Sequence, residues 1–209
     1  MIALNAVAHN YENGQRIGFK DWQVDDGSQW LLLGASGSGK TTLLHILTGI
    51  LKPLQGSVVI NGTSIYDLSS KHLDQFRGRN VGIIFQRPHL IKSLTIKENL
   101  VMAQSFANLP TDLNRVQEVL ASLGIADKKD AYPSELSQGQ LQRVSIGRAE
   151  INRPTLLIAD EPTSSLDDKN AAAVLELLIT QSSINQATLI VATHDKRVKD
   201  AFTNTYELS

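Results

Sequence analysis

Short runs of apolar residues, rich in Val, Ile and Leu, alternate along the chain with longer segments of helical spacing. Such runs occupy residues 30–33, 81–85, 155–160 and 187–193, and each is followed by glycine or a polar residue. Buried strands of a parallel sheet are typically continuous apolar runs, and the segments between them supply the crossover helices. The alternation therefore predicts an α/β fold with a largely parallel sheet.

The pattern near the amino-terminus indicates antiparallel strands instead. Residues 2–8 and 16–24 have the pattern of paired strands, and residues 57–60 form a further strand. That strand ends at Asn61-Gly62, a dipeptide typical of a hairpin turn. Residues 41–50, which precede it, have helical spacing. We expect an antiparallel β part joined to the α/β core.

The middle of the chain loses its strand signals. From residue 95 to about 124 the spacing is helical, and a second helical pattern covers residues 139–152. Because strand patterns lie on both sides of this stretch, the first and last thirds of the chain are expected to share one sheet. The sequence predicts one domain over residues 1–209, with a mixed sheet core and a helical subdomain inserted at about 90–152.

The composition restricts the functions to consider. The 209 residues carry 20 Lys+Arg and 21 Asp+Glu, a net charge of −1, so the basic surface of a nucleic-acid-binding protein is not expected. The absence of cysteine excludes disulfides, thiolate metal sites and cysteine nucleophiles. The apolar runs are far shorter than the roughly 20 residues that span a bilayer, and the amino-terminus lacks a signal-peptide pattern. Any membrane role is therefore expected to depend on a partner.

A glycine-rich segment between the strand at 30–33 and the helix at 41–50 has the spacing of a phosphate loop. Its glycines let backbone amides turn inward around phosphates, Lys40 would meet the β and γ oxygens, and Thr41 would offer its hydroxyl to magnesium. The alternative is a flexible Gly/Ser turn, but the flanking strand and helix favour nucleoside triphosphate binding. The predicted binding residues are Gly34, Ala35, Ser36, Gly37, Ser38, Gly39, Lys40, Thr41 and Thr42.

Two carboxylates follow the apolar strand at 155–160. Asp160 and Glu161 stand at the carboxyl end of that strand, where open α/β sheets bind their ligands. Asp160 would help to hold magnesium, and Glu161 would act as the general base for the water that attacks the γ-phosphate. An exposed acidic turn before Pro162 is the alternative, which the phosphate loop in the same chain disfavours.

The segment Leu136-Ser137-Gln138-Gly139-Gln140 extends the pattern to a known family. Together with the phosphate loop and the acidic strand end, it resembles the signature motif of ABC-type ATPases, although Gln138 stands where the family usually has glycine. The resemblance implies that Ser137, Gln138, Gly139 and Gln140 contact a nucleotide held by a second copy of the chain. Without the family, the same segment would be an ordinary helix cap.

Four further residues resemble functional positions of the same family. Gln86 resembles the Q-loop glutamine, which contacts magnesium and the attacking water, and Asp167 ends a D-loop-like segment that crosses the dimer interface. His194 resembles the switch histidine that contacts the γ-phosphate, and Tyr11 the aromatic residue that stacks on adenine. The alternatives are a polar loop residue, a helix cap, a structural histidine and a strand-end tyrosine.

The resemblance covers essentially the whole chain, and is strongest to the ATPase subunits of lipoprotein-release, macrolide-export and cell-division systems. It implies ATP and Mg²⁺ as cofactors, a nucleotide-sandwich homodimer, and an integral membrane permease subunit contacted by residues 87–97. It also implies a cytoplasmic location at the membrane face. The alternatives are a cell-division or mechanical regulator, and a soluble ATPase of translation or DNA maintenance.

Overall fold

The structure is a computed structural model that describes residues 1–12, 14–164, 166–194 and 196–208. Five parallel strands form one sheet in the order β10-β4-β9-β8-β7. Neighbouring apolar residues of this sheet, such as Leu31 and Leu32, belong to two different core clusters, so both of its faces are buried. The strands are β4 (Gln29–Leu33), β7 (Val81–Ile84), β8 (Leu156–Asp160), β9 (Thr188–Thr193) and β10 (Asn204–Glu207).

A second sheet is antiparallel and contains the amino-terminal strands. Its long strand β1 (Ile2–Asn10) pairs with β2 (Arg16–Gly18), β3 (Trp22–Val24) and β5 (Gln55–Ile60). Strand β5 continues through a turn at Asn61-Gly62, both with positive φ, into β6 (Thr63–Ser64). The predicted hairpin turn and antiparallel β part are confirmed. The strands at 2–8, 16–24 and 57–60 do not join the parallel sheet, so of the strands in the first third only β4 shares a sheet with those of the last third, and the expectation is correct in part.

The predicted strand at 16–24 is two strands, because β1 carries an irregularity opposite it. The pairing of β1 with β5 shifts register between Asn5 and Ala8, and Ala6 has a φ of 48°. The backbone N–H of Ala6 donates to Asp21 Oδ1 at 2.7 Å. The chain at 19–21 therefore turns around this bulge and pairs with β1 on either side of it.

The described residues form six α-helices beside the sheets. The predicted helical stretch from 95 to 124 is interrupted at residues 107–112, where Asn108 has a left-handed φ of 52°. Helix α2 was not predicted, because none of its residues is fully buried and only Leu73 and Phe76 pack against the core, too few to form an apolar stripe. The helices are α1 (Lys40–Leu47), α2 (Ser70–Asn80), α3 (Ile96–Phe106), α4 (Leu113–Ser122), α5 (Gln138–Glu150) and α6 (Asp168–Ile184).

The two core clusters determine where the helices pack. Helix α1 contributes Leu43 and Ile46 to the cluster that contains residues of both sheets, so it lies between them. Helices α3 to α6 pack in the other cluster, against the opposite face of the parallel sheet. Helices α3, α4 and α5 all fall between β7 and β8 in the chain, which is the position of the predicted helical insertion. Within the described residues, no helix is long and apolar enough to cross a membrane.

Candidate functional site

The loop between β4 and α1 is shaped by two glycines with positive φ. Gly37 has a φ of 79° and Gly39 a φ of 95°, and a Cβ atom at Gly39 would lie only 2.3 Å from Ile17 Cδ1. The ammonium of Lys40 is largely buried inside the loop and donates to the carbonyls of Gly34 at 2.7 Å and Ala35 at 3.1 Å. The loop thus surrounds a single buried cation at the start of α1, the geometry that suits an anionic ligand.

Asp160 lies beside this loop, at the carboxyl end of β8. The Thr41 hydroxyl donates to Asp160 Oδ2 at 2.9 Å, and Asp160 Oδ1 is buried with no hydrogen-bond partner among the described residues. Burial raises the pKa of Asp160, an effect that the Thr41 hydrogen bond opposes. A buried carboxylate oxygen and a hydroxyl are ligands that Mg²⁺ accepts, so these residues fit the ion.

The protein supplies only part of such a metal site. In the described ranges, no group of three or more His, Cys, Asp or Glu side chains is arranged to hold a metal ion. Mg²⁺ in nucleotide sites commonly takes one or two protein ligands and completes its shell with phosphate oxygens and water. Thr41 and Asp160 would be the protein ligands of such an ion, and phosphate oxygens and water would complete its shell.

Glu161 is held by the end of the neighbouring strand β9. Its backbone has a φ of 48°, and its N–H donates to the carbonyl of Ala192 at 2.8 Å. Thr193 Oγ1 donates to Glu161 Oε2 at 2.9 Å, while Oε1 accepts the His194 N–H at 3.1 Å. The His194 ring Nδ1 lies 2.7 Å from Oε1, and Lys40 Nζ lies 4.0 Å from the same oxygen. This carboxylate is therefore fixed from two sides and faces the phosphate loop.

Gln86 and Tyr11 complete this side of the site. Gln86, just after β7, donates from Nε2 to Ser164 Oγ at 3.1 Å, and that hydroxyl donates to the carbonyl of Glu161 at 3.1 Å. The hydroxyl of Tyr11 lies 2.7 Å from Thr42 Oγ1. One cleft of about 490 Å³ is lined by Tyr11, Ser36, Gly37, Gly39, Lys40, Thr41, Thr42, Gln86, Asp160, Glu161 and His194.

The predicted signature segment lies outside this cleft. Ser137 is the N-cap of α5, and its side chain and that of Gln140 form a reciprocal capping box. Ser137 and Gln138 are exposed, whereas Gly139 and Gln140 are half-buried. Asp167 is the exposed N-cap of α6 and accepts from the Asn170 backbone and side chain, which lowers its pKa.

The starts of α5 and α6 lie side by side. A Cβ atom at Gly139 would be 3.3 Å from Asn170 Oδ1, in the first turn of α6. The predicted site residues thus form two groups, one inside the cleft and one at two adjacent exposed helix starts. Ser165, within the D-loop-like segment, lies outside the described residues.

Sequence reasoning missed two residues that hold Glu161. Thr193 donates to its carboxylate, and Ser164 links its carbonyl to Gln86. A signal for Thr193 was available, because it is the polar residue that ends an apolar strand next to the strand of Asp160. Ser164 begins the D-loop-like segment, but its hydrogen bonds to Gln86 and to the Glu161 carbonyl had no local signal, since they depend on the chain turning back after Pro162.

Comparison with known proteins identifies the family of this chain. Residues 20–164, about two thirds of the chain, match the family described as "ABC transporter". The chain belongs to this family. The lipoprotein-releasing system ATP-binding protein LolD of Shewanella oneidensis is 36% identical to it over 204 residues, covering 95% of this chain and 89% of that protein. The bacitracin export ATP-binding protein BceA of Halalkalibacterium halodurans is 42% identical over 177 residues, covering 84% and 70%.

Solved structures of ABC cassettes have the same fold. The ATP-binding cassette MJ0796, described as a dimeric post-hydrolysis state bound to ADP and Pi, superposes with a TM-score of 0.89 and 31% identity. The alignment covers 100% of this chain and 94% of that one. CbiO1 of Clostridium perfringens, part of the transporter complex CbiONQ, has a TM-score of 0.89 and 30% identity over 100% and 84% of the two chains. This chain is therefore an ATP-binding ABC ATPase.

A second hollow of this ABC ATPase, about 690 Å³ in volume, lies between β7, α2 and α3. Phe85, Met102 and Ala103 contribute apolar lining. Ile91 and Phe106 also line the hollow, and their exposed fractions are 39% and 72%. The segment 87–97, for which the sequence predicts a partner contact, contributes His89 and Ile91 to this hollow. The hollow thus combines apolar lining with two exposed apolar side chains.

Proposed function

We propose that this chain is the ATP-hydrolysing subunit of an ABC transporter complex, in which two copies dimerise on ATP and drive a separate membrane subunit. The observation that carries the proposal is the separation of the site into two groups. The phosphate loop, Asp160 and Glu161 lie in one cleft, whereas Ser137 and Asp167 lie at exposed helix starts outside it. A second copy would bring the missing half to each cleft.

In the cleft, Lys40 and the amides of the phosphate loop would hold the β and γ phosphates of ATP. Lys40 is already desolvated inside the loop, so its charge would act at short range in a medium of low dielectric. Thr41 and Asp160 would hold Mg²⁺, with Gln86 as a further ligand at the edge of the site. The ion, when bound, neutralises phosphate charge.

Glu161 would accept a proton from the attacking water. The oxygen of that water would bond to the γ-phosphorus as the bond between the γ-phosphorus and the departing ADP breaks. Thr193 and the backbone of His194 fix the carboxylate, which preserves the geometry that proton transfer requires. Because His194 Nδ1 faces Glu161, the other ring nitrogen is available to the γ-phosphate. Tyr11, whose hydroxyl contacts Thr42, would stack on adenine at the mouth of the cleft.

The second half of each site would come from the partner copy. The amino-terminal ends of α5 and α6 carry partial positive charge, and the reciprocal hydrogen bonds of Ser137 and Gln140 fix the backbone at the start of α5. A γ-phosphate opposite this end would be held by Ser137, Gln138, Gly139 and Gln140, and Asp167 would cross the interface. The dimeric structures of the related cassette MJ0796 support this arrangement.

A membrane subunit would dock on the second hollow. Its partly apolar lining and its exposed Phe106 and Ile91 suit a segment of another protein, and segment 87–97 continues directly from Gln86. Movement of that segment would reach the cleft through the Gln86 to Ser164 hydrogen bond. The relatives described as export and lipoprotein-releasing ATP-binding proteins support a cytoplasmic location at the membrane face.

The test is copurification of tagged Glu161→Gln protein from native membranes with ATP and Mg²⁺, with bound proteins identified by mass spectrometry. A polytopic membrane protein is the expected partner. Recovery of ribosomes or DNA-repair proteins without a membrane protein would reject the transport assignment and leave the ATPase chemistry standing.

A matched pair of variants locates the docking surface. Phe106→Asp, in the hollow, should lower recovery of the membrane protein. Ile184→Asp, which changes an equally exposed apolar residue at the end of α6, should not. Equal recovery from both variants would show that the partner docks elsewhere.

A further inference from the structure

Within the described residues, three arginines make the same contact, in which one guanidinium donates to two successive backbone carbonyls. Arg79 does so at the end of α3, and Arg115 at the end of α5. Arg148 differs in what it holds. From the last turn of α5 it donates to the carbonyl of His89 at 2.6 Å and to that of Pro88 at 3.0 Å. It therefore clamps a loop rather than a helix end, and the loop is the one that follows Gln86.

That loop has little regular structure to hold it. Between β7 and α3 the backbone forms no helix or strand and only one turn, at residues 92–93, and His89 has a left-handed φ of 43°, which residues other than glycine rarely adopt. The ring of His89 packs edge-on against Phe85, with centroids 5.4 Å apart. Farther along, the buried amide of Asn99 holds both the N–H and the carbonyl of Ile91. Of the contacts made by Arg148 and Asn99, those of Arg148 lie closer along the chain to Gln86, whose own side chain donates to Ser164.

The partly buried environment of the Arg148 guanidinium strengthens its hydrogen bonds to the two carbonyls. Its side chain is half-buried, and burial lowers the pKa of the guanidinium. Within the described residues, no carboxylate oxygen lies within 4.0 Å of it. A partly desolvated cation with carbonyl partners holds them by charge-assisted hydrogen bonds, which are stronger than those between neutral groups. The loop is thereby fixed to α5.

The same helix connects this clamp to the signature segment. Ser137 caps the start of α5 and Arg148 lies eleven residues later, about 16 Å along a rigid helix. We propose that Arg148 is a positioning residue for ATP hydrolysis, which ties the Gln86 loop to α5 so that Gln86 and the signature segment move as one body. The inference rests on the role of Gln86 in the proposed function.

The first experiment separates this role from simple stabilisation. Arg148→Ala should lower kcat for ATP about tenfold, since displacement of a positioned group by even a fraction of an ångström is costly, while ATP affinity changes less than about twofold. Arg148→Lys, which can keep one of the two hydrogen bonds, should recover part of the rate. Arg79→Ala is the matched control, because it removes the same double hydrogen bond at a site away from Gln86 and should leave kcat within about twofold of wild type.

A double-mutant cycle then tests whether Arg148 acts through Gln86. The variant with both Gln86→Ala and Arg148→Ala should be no slower than Gln86→Ala alone, within about twofold, because the loop then has no amide left to position. Multiplied losses would overturn the inference, as would equal kcat losses in Arg148→Ala and Arg79→Ala. Full activity of Gln86→Ala is a separate result, which would reject Gln86 in the proposed function.

If Arg148→Ala does not fold, Arg148→Lys takes its place in the cycle with Gln86→Ala. Arg79→Lys then takes the place of Arg79→Ala as the control. Melting temperatures of both pairs are measured alongside the rates. A loss of rate in Arg148→Lys with a melting temperature equal to that of Arg79→Lys is the expected result. Equal rates in the two lysine variants would overturn the positioning role.

Discussion

In the cleft, Asp160 and Glu161 bond to residues from α1 and β9, whereas at the exposed end Ser137 and Asp167 bond to the first turns of their own helices. The cleft is thus preorganised by contacts between elements that are far apart in the sequence. The exposed end consists of two capped helix starts, whose backbone N–H groups and partial positive charge suit an anion. Under the proposed function, one half of the site is therefore preorganised within the chain, and assembly of two copies would supply the other half.

The sharpest test of the cleft is Glu161→Gln. Glutamine keeps the size of the side chain and can still accept from Thr193, but it cannot take a proton, so turnover should fall by roughly 10²–10⁴-fold. ATP binding should be largely retained, and the uncleaved nucleotide should trap a dimer. Phosphate release, ATP binding and size-exclusion chromatography measure the three properties. Hydrolysis at the normal rate would rule out Glu161 as the base.

Lys40→Ala tests the cleft at the level of binding. The substitution removes the charge beside the phosphates and leaves the carbonyls of Gly34 and Ala35 without their donor, so ATP affinity should fall roughly 10- to 100-fold. The control is Lys52→Ala, which removes an exposed cation outside the cleft. Calorimetric titration with ATP compares the two, and equal affinities would argue against the role of Lys40.

The exposed end is tested by Ser137→Ala, with Asp112→Ala as its control. Both substitutions remove an N-cap, of α5 and α4 respectively, and each should lower the free energy of unfolding by about 1 kcal/mol. Only Ser137→Ala should also slow turnover, by about tenfold, because it alters the donors that would face the γ-phosphate. Equal rates in the two variants would mean that Ser137 is only a cap.

Mixing two defective variants tests whether the cleft of one chain and the exposed helix starts of another form one site. In an equal mixture of Lys40→Ala and Ser137→Ala, half of the dimers are mixed, and each of these has one site with both residues intact. Turnover should therefore return to roughly a quarter of the wild-type rate if two copies share each site. A mixture no more active than the average of its components would indicate that each chain works alone.

The smallest effect on activity is expected from Glu150, at the far end of α5. Its side chain is buried, Oε2 accepts from Asn185 at 3.4 Å at the end of α6, and burial raises its pKa to about 7. Because the folded protein binds this proton more tightly than the unfolded chain does, stability should fall as pH rises from about 4.5 to about 7, by roughly 3 kcal/mol. Glu150→Gln should remove that slope and leave ATP affinity unchanged.

Urea unfolding at pH 5 and pH 8 measures this effect. The difference between wild type and Glu150→Gln isolates Glu150, since the other titrating groups are shared by the two proteins. Identical pH dependence in both proteins would contradict a buried, proton-binding Glu150.

Local patterns were sufficient for the parts of the molecule that depend on a few neighbouring residues. The turn at Asn61-Gly62 requires positive φ at two adjacent positions, and the phosphate-loop glycines require backbone that a side chain would block. The apolar strand before Asp160 and Glu161 needs burial on both faces. In each case the physical requirement lies within the segment, so the sequence alone indicated the fold class and most of the candidate site.

Tertiary structure decided the features that depend on contacts between distant segments. Helix α2 buries no residue fully, so it left no apolar pattern in the sequence, and the break in the strand at 16–24 depends on Asp21 reaching the bulge at Ala6. Thr193 donates a hydrogen bond to Glu161, and Arg148 donates to the loop after Gln86. Each of these bonds joins residues 32 or more positions apart. A sequence specifies which side chains can donate and accept, but only the packed chain determines which of them come within 3 Å of each other.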